Sequence, residues 1–215
     1  MDIIVDRYSK IKSNIDSAAN VNIIAVSKTF SFSHIKPLID HGHLHFGENK
    51  VQEAEIKWKD YKIKNQNINL HMIGKLQSNK AKKVIDLFDY VHSLDNQKLA
   101  DTLANCEKLK QKKIKYFIQV NLGMESQKSG IPLSQVDDFF SYCTKEMNLN
   151  VIGLMAIPPN DGHEEKHFKY LYEANSSLGL KDLSMGMSAD YLKALKYKTT
   201  FLRIGSLIFG DRANK

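Results

Sequence analysis

Eight short apolar runs alternate with longer segments of helical periodicity along the 215 residues of the chain. Each run has the length and the apolar content of a buried strand, and polar or glycine residues gather at its end. The runs are 22–28, 43–47, 68–74, 90–93, 115–121, 149–155, 181–186 and 200–205. No two of them are close enough for a hairpin, so the pattern predicts a parallel sheet with helical crossovers.

The segments between these runs predict amphipathic helices. They span 1–19, 33–40, 50–61, 79–87, 96–111, 134–146, 164–177 and 188–196, with Ser33, Ser134 and Ser188 as predicted N-caps. Eight such units in a single domain over residues 1–215 predict an α/β fold, a closed (β/α)8 TIM-type barrel. An open, doubly wound sheet is the alternative.

Composition argues against several classes of function. The chain is 42% hydrophobic and 26% charged, which is typical of an ordered globular protein. Its net charge is +7, but the lysines are spread over helical segments instead of forming a stripe with aromatic residues, so nucleic-acid binding is not expected. The two cysteines lack metal-ligand spacing, and no signal peptide or membrane-spanning run is visible. We expect a cytoplasmic protein with no metal site and no membrane contact.

The first strand ends at a lysine. Alternation places Ile24, Val26 and Lys28 on one face of this strand. Burying an ammonium on an apolar face is costly, and burial favours the neutral amine, which is a nucleophile toward aldehydes. Lys28 is therefore either a Schiff-base lysine or a strand-end lysine whose ammonium reaches water.

The last two strands are followed by residues that suit a phosphate. Gly186 allows close backbone approach, and the N–H groups around the predicted cap Ser188 attract anions. Gly205 and Ser206 follow the eighth strand, and barrels often hold phosphate at these two positions. Each residue alone also suits a plain cap or turn. Together with Lys28 they predict a ligand that bears a phosphate and an aldehyde, of which pyridoxal 5′-phosphate (PLP) is the common example.

Motifs at the strand ends carry a family resemblance. They are 25–29, 46–53, 71–80, 92–95, 119–121 with 128–130, 153–155, 183–188, and 203–205 with 208–210. In this order, over nearly the whole chain, they resemble the pyridoxal phosphate homeostasis proteins, the YggS/PROSC family. The resemblance implies a fold-type III PLP barrel similar to the N-terminal domain of alanine racemase.

The resemblance also implies roles for particular residues. Lys28 would hold PLP covalently as an internal aldimine, and Arg203 would face the pyridine nitrogen. The residues expected at or near the phosphate are Ser184, Ser188, Gly205 and Ser206, and Met185 is also expected in the cofactor site. Asn49, His71 and Asn121 would line the pocket near the ring and the lysine. The chain departs from the family pattern at Lys50, Lys75 and Lys198, where Tyr, His and Gly are usual.

Two functions are compatible with a PLP barrel. The first is a non-catalytic protein of intracellular PLP homeostasis, which buffers the cofactor and delivers it to apo-enzymes by transient contact. The alternative is an enzyme that resembles amino-acid racemases. An arginine beside the pyridine nitrogen disfavours its protonation and weakens the ring as an electron sink. Racemases of this fold also use a second domain, and only about ten residues follow the last strand here. We therefore expect a monomeric carrier with no catalytic residues.

Overall fold

Nine parallel strands form one sheet in the computed structural model, which describes residues 2–15, 20–123 and 129–210. The strands are β1 (Asn22–Val26), β2 (His45–Glu48), β3 (Asn69–Met72), β4 (Tyr90–Leu94), β5 (Lys115–Asn121), β6 (Ile131–Pro132), β7 (Asn150–Ala156), β8 (Asp182–Met187) and β9 (Phe201–Ile204). Eight of them correspond to the eight predicted runs. The two-residue strand β6 was not predicted.

The sheet closes on itself. Strand β1 pairs with β2 on one side and with β9 on the other, where Asn22 is opposite Phe201. Strand β4 pairs with both β3 and β5, and Tyr90 is opposite Lys115. Strand β6 pairs with the end of β5, beside the closed ring of eight. The predicted (β/α)8 barrel is confirmed, and the open sheet was the wrong alternative.

Helices lie before, between and after the strands; eight of them correspond to the predicted segments, and the ninth, after the last strand, was not predicted. They are α1 (Ile3–Ser13), α2 (Phe32–Asp40), α3 (Val51–Lys64), α4 (Ala81–Leu87), α5 (Gln97–Lys110), α6 (Val136–Ser141), α7 (Glu164–Ser177), α8 (Tyr191–Leu195) and α9 (Ser206–Phe209). The first predicted helix is shorter than expected, and its predicted final residues, 16–19, lie outside the described ranges. No helix in these ranges has both the length and the apolar character needed to cross a bilayer.

The three predicted N-caps were wrong. The hydroxyl of Ser31, not Ser33, accepts the first-turn hydrogen bond of α2, from the backbone N–H of His34 at 3.3 Å. No described side chain caps α6, because a 3-10 turn through Ser134 leads directly into it. Helix α8 begins three residues after Ser188, since the carboxylate of Asp190 accepts from the N–H of Met187 at 2.6 Å and holds the preceding turn closed.

Two apolar layers surround the strands. The larger layer lies between the sheet and the helices and includes fully buried Leu38, Trp58 and Phe168. The smaller layer fills the inside of the barrel and consists of Ile24, Tyr90, Phe117, Met155 and Phe201. Because side chains alternate along a strand, β1, β4, β5, β7 and β9 supply both layers. Buried polar side chains accompany the inner layer and lead to the carboxyl ends of the strands.

Candidate functional site

A cavity of about 770 Å³ opens at the carboxyl ends of the strands, and we call it the main cavity. Its walls come from the ends of β1, β2, β3, β7, β8 and β9 and the residues that follow them. This is the face on which (β/α)8 barrels carry their sites, and the volume is within the range of about 300–1,000 Å³ typical of small-molecule pockets. The predicted site residues that line it are Lys28, Asn49, Ser188, Arg203, Gly205 and Ser206.

The other predicted residues lie elsewhere. Asn121 lines a neighbouring cavity of about 320 Å³, which shares walls with the main cavity. His71 and Ser184 are fully buried inside the barrel, beneath the main cavity. The side chain of Met185 is buried in the layer between sheet and helices, because it alternates with Ser184 along β8. Residue 128, a lysine of the family motif, lies outside the described residues.

A buried carboxylate fixes the end of β1, one residue before Lys28. Oε1 of Glu48 accepts hydrogen bonds from the hydroxyl of Ser27 at 2.7 Å, from Lys57 Nζ at 2.8 Å and from Trp58 Nε1 at 2.9 Å. Lys57 also donates to the carbonyl of Ser27 at 2.7 Å. Glu48 is fully buried, so the Lys57 ammonium offsets a charge that would otherwise be costly. The backbone next to half-buried Lys28 is therefore held rigidly.

Asn49 lines the main cavity, and its side chain has an unpaired polar atom. Its Oδ1 is buried and has no hydrogen-bond partner among the described residues. A Cβ at position 74 would lie 2.3 Å from the Asn49 carbonyl, so glycine is required there for the end of β3 to approach Asn49. Buried polar atoms are nearly always paired, and an unpaired one in a cavity wall suits a polar ligand.

Arg203 forms part of the floor of the main cavity. Its Nη1 donates to the carbonyl and the hydroxyl of Ser184, both at 2.7 Å, and its Nη2 donates to the Ala156 carbonyl at 2.9 Å. Burial lowers the pKa of Arg203 to about 10, and the carboxylate of Asp190 partly opposes this effect. The guanidinium therefore remains charged at neutral pH, and the acceptors it bonds among the described residues are neutral.

The charge of the main cavity suits an anion. Among the described residues of its lining, Lys28 and Arg203 are the two basic ones, and none is a carboxylate. The loop after β8, with Ser188, faces the cavity beside the first turn of α9, which begins at Ser206. The first N–H groups of a helix have no partner within the helix, and they favour negative charge.

Sequence reasoning missed the polar side chains that support this site. Glu48 lies in the family motif 46–53, but no role was predicted for it. His45 and His92 form hydrogen bonds inside the barrel, where His71 joins them. Both histidines occupy strand positions that alternation places on the inner face, which was the available signal.

The fold and the site together define a class of protein. Residues 1–213 match the family model described as "Alanine racemase, N-terminal domain". The alanine racemase of Clostridium difficile 630 has a similar fold, with a TM-score of 0.78 at 13% identity over 100% of this chain and 58% of that one. The chain is thus a barrel of the alanine racemase N-terminal domain class.

Nearer relatives identify the family. The pyridoxal phosphate homeostasis protein of Escherichia coli (strain K12) is 33% identical over 229 residues, which cover 99% of this chain and 98% of that protein. The structure of PipY from Synechococcus elongatus PCC7942 with PLP bound has a TM-score of 0.87 at 30% identity, over 96% of this chain and 100% of PipY. The chain belongs to the pyridoxal phosphate homeostasis protein family, which confirms the resemblance seen in its motifs.

Proposed function

We propose that this protein binds PLP in the main cavity and acts in intracellular PLP homeostasis, holding the cofactor without robust catalysis. The observation that carries the proposal is the placement of Lys28 and Arg203 in one cavity whose described lining has no carboxylate. The relative PipY, solved with PLP bound, supports the choice of ligand.

The residues of the main cavity fit the parts of this cofactor. PLP supplies an electrophilic aldehyde, a phosphate and a pyridine ring. The amine of Lys28 bonds covalently to the aldehyde carbon as a Schiff base, and water is released. The clamp of Glu48 and Lys57 on Ser27 keeps that amine in place. Asn49 offers its unpaired amide oxygen to a polar group near the lysine.

The phosphate binds where the loops after β8 and β9 meet. Ser188 and Ser206 supply hydroxyl groups, and Gly205 with the first turn of α9 supplies backbone N–H groups. Ser184 and His71 lie beneath the cavity, where Ser184 bonds Arg203 and His71 bonds His92. Met185 packs behind them, in the layer between sheet and helices. Asn121 contributes to the rim of the PLP site from the neighbouring cavity.

Arg203 favours storage over catalysis. A guanidinium that stays charged at neutral pH keeps a pyridine nitrogen beside it unprotonated, and a neutral ring stabilises a carbanion poorly. Racemisation also needs a second base opposite the first. The described lining of the main cavity has Lys28 but no tyrosine, histidine, cysteine or carboxylate that could be this second base.

The covalent site is tested by titrating the purified protein with PLP and recording its absorption spectrum. We expect a Schiff-base band that sodium borohydride abolishes. The variant Lys28→Ala should lose this band and keep its circular dichroism spectrum. Lys75→Ala, which removes an exposed lysine near the main cavity, is the matched control and should keep it. An unchanged band in Lys28→Ala would contradict the proposal.

The alternative function is tested by turnover. The loaded protein is incubated with L-alanine and other amino acids, and the D-enantiomers are measured. We expect no racemisation at enzyme-like rates. Rates typical of enzymes, about 1–10³ s⁻¹, would identify a racemase instead.

The phosphate site is tested with Ser188→Ala. Loss of one hydrogen bond to the charged phosphate, about 1.5–3 kcal/mol, should raise the Kd for PLP by roughly 13- to 160-fold. Ser177→Ala, on the exposed side of α7, is the control and should leave the Kd unchanged. If the two variants bind equally well, Ser188 does not hold the phosphate.

We further propose that the protein is a cytoplasmic monomer that passes PLP to apo-enzymes through transient contacts. Size-exclusion chromatography with light scattering measures its mass directly, and the expected value is that of a single 24.5 kDa chain. Transfer is measured as recovery of activity when the loaded protein is mixed with a PLP-dependent apo-enzyme in the presence of a trap for free PLP.

A further inference from the structure

Three histidines form a continuous row of hydrogen bonds through the barrel interior, and we call His45, His71 and His92 the histidine row. Nδ1 of His45 lies 3.0 Å from Nε2 of His71, and Nδ1 of His71 lies 2.9 Å from Nε2 of His92. Nδ1 of His92 lies 2.8 Å from the hydroxyl of Ser184, which accepts from Arg203. The row thus leads from β2 to the floor of the main cavity.

Aromatic rings enclose the row. His71 stacks on Tyr90 with ring centroids 4.2 Å apart, and His92 stacks on Phe117 with centroids 4.3 Å apart. Both imidazoles are fully buried, and burial is the main reason that the pKa of each is well below its usual value. Each neutral ring has one N–H donor and one acceptor nitrogen.

The hydroxyl of Ser184 determines which ring nitrogen of each histidine in the row carries the proton. Arg203 donates to this hydroxyl oxygen, so the hydrogen of the Ser184 hydroxyl needs a separate acceptor. Among the described residues, Nδ1 of His92 is the acceptor within reach. A proton on that nitrogen would leave the serine hydrogen buried and unpaired, which is unfavourable. His92 is therefore protonated at Nε2, which donates to Nδ1 of His71.

The same reasoning continues along the row. Because His71 accepts at Nδ1, it is protonated at Nε2 and donates to Nδ1 of His45. His45 in turn carries its proton at Nε2. The half-buried His45 lines a separate cavity of about 430 Å³, which also contacts Asn22 at the amino end of β1.

We propose that the histidine row is a one-directional hydrogen-bond wire, with all three rings in the Nε2–H form, that links the two ends of the barrel and positions Arg203 through Ser184. His92 is a positioning residue in this arrangement, since it acts on Arg203 only through the serine hydroxyl. The inference goes beyond PLP binding and needs no ligand.

The direct test is nuclear magnetic resonance of the ¹⁵N-labelled protein at neutral pH, without PLP. Long-range ¹H–¹⁵N correlations distinguish the Nε2–H from the Nδ1–H form of each histidine. We expect Nε2–H for His45, His71 and His92. An Nδ1–H form at His92 would overturn the proposed direction, whether or not the protein binds PLP.

Two substitutions at residue 184 test the coupling. Ser184→Ala removes the hydroxyl that fixes the row, so we expect a measurable fraction of Nδ1–H at His45, which does not bond to Ser184 in the native protein. Ser184→Thr keeps a hydroxyl and should retain the native forms. Ser93→Ala is the matched control, because Ser93 follows His92 on the opposite face of β4. An unchanged His45 in a folded Ser184→Ala variant would contradict coupling along the row.

Discussion

The position of Lys28 is fixed by the residues around it. It lies in the turn after β1 and lines the main cavity, while the preceding Ser27 donates to the buried carboxylate of Glu48. Lys57 covers that carboxylate from α3 and also bonds the Ser27 carbonyl. A chain of short hydrogen bonds therefore connects the helix layer with the proposed covalent site.

Removing the buried carboxylate should destabilise the fold strongly. Glu48→Ala leaves the ammonium of Lys57 and the indole N–H of Trp58 without their acceptor. Breaking one side of a buried ion pair costs about 3–5 kcal/mol, and we expect a loss of this size in the free energy of unfolding, measured with urea.

An exposed ion pair on the same helix provides the control for this prediction. Glu53 pairs with Lys50 at 2.8 Å at the solvent-exposed start of α3. Glu53→Ala should lower the free energy of unfolding by less than about 1 kcal/mol. Equal losses in the two variants would show that Glu48 does not clamp the strand end.

At the scale of elements, short loops after the strands shape the main cavity. The loop between β8 and α8 is closed by Asp190, and Gly186, next to the last residue of β8, takes a φ of +89°. A Cβ at residue 186 would lie 2.7 Å from Cβ of Ala194, so glycine allows both the turn and the close packing of α8. The loop residue Ser188 therefore faces the cavity instead of capping a helix.

The start of α2 gives a stability test for an element. Ser31 caps this helix, while Ser33 lies within its first turn. Ser31→Ala should lower the free energy of unfolding by about 0.5–2 kcal/mol, because a first-turn N–H loses its acceptor. Ser33→Ala is the matched control with a smaller expected effect, and urea titration of both variants measures the difference. A larger loss of stability in Ser33→Ala than in Ser31→Ala would mean that Ser33 is the cap, as the sequence predicts.

Elements were predictable where local pattern and tertiary structure agree. The apolar runs of β1 and β5 are buried on both faces, so they appear as near-continuous hydrophobic stretches. The caps were not predictable from spacing, because Ser31 and Ser33 both suit a helix start and only the backbone turn selects one. Strand β6, with two residues, is too short for any periodicity.

The site was predictable in its outline. Lys28 lies in the turn two residues after β1, beyond the end of the strand but within the run 22–28 predicted for it, and Arg203 lies within β9; the structure brings both to one cavity. The placement of His71 beneath the cavity follows from its partners His45 and His92, which come from other strands. Contacts between strands that are distant in sequence leave no local pattern.

At the scale of the whole molecule, the buried histidines make stability depend on pH. Burial is the main cause that lowers the pKa of His43 to about 4, from an ordinary value of 6.5. Between pH 6.5 and about 4, the unfolded chain therefore binds more protons than the folded protein. The free energy of unfolding falls as the pH decreases through this window. The loss due to His43 is on the order of 3 kcal/mol.

Urea unfolding at pH 7 and pH 4.5 measures this effect. The variant His43→Gln should lose less stability between the two pH values than the native protein does. His163→Gln replaces an exposed histidine and should behave like the native protein. Identical pH dependence in all three proteins would exclude His43 as a source.

The central claim is that the Lys28 amine is the covalent attachment point for PLP. The most direct measurement is reduction of the PLP-loaded protein with borohydride, followed by proteolysis and mass spectrometry of the peptides. We expect the mass of the reduced cofactor on the peptide that contains Lys28. A label on the peptide of Lys80 or Lys128, or on none, would contradict the account.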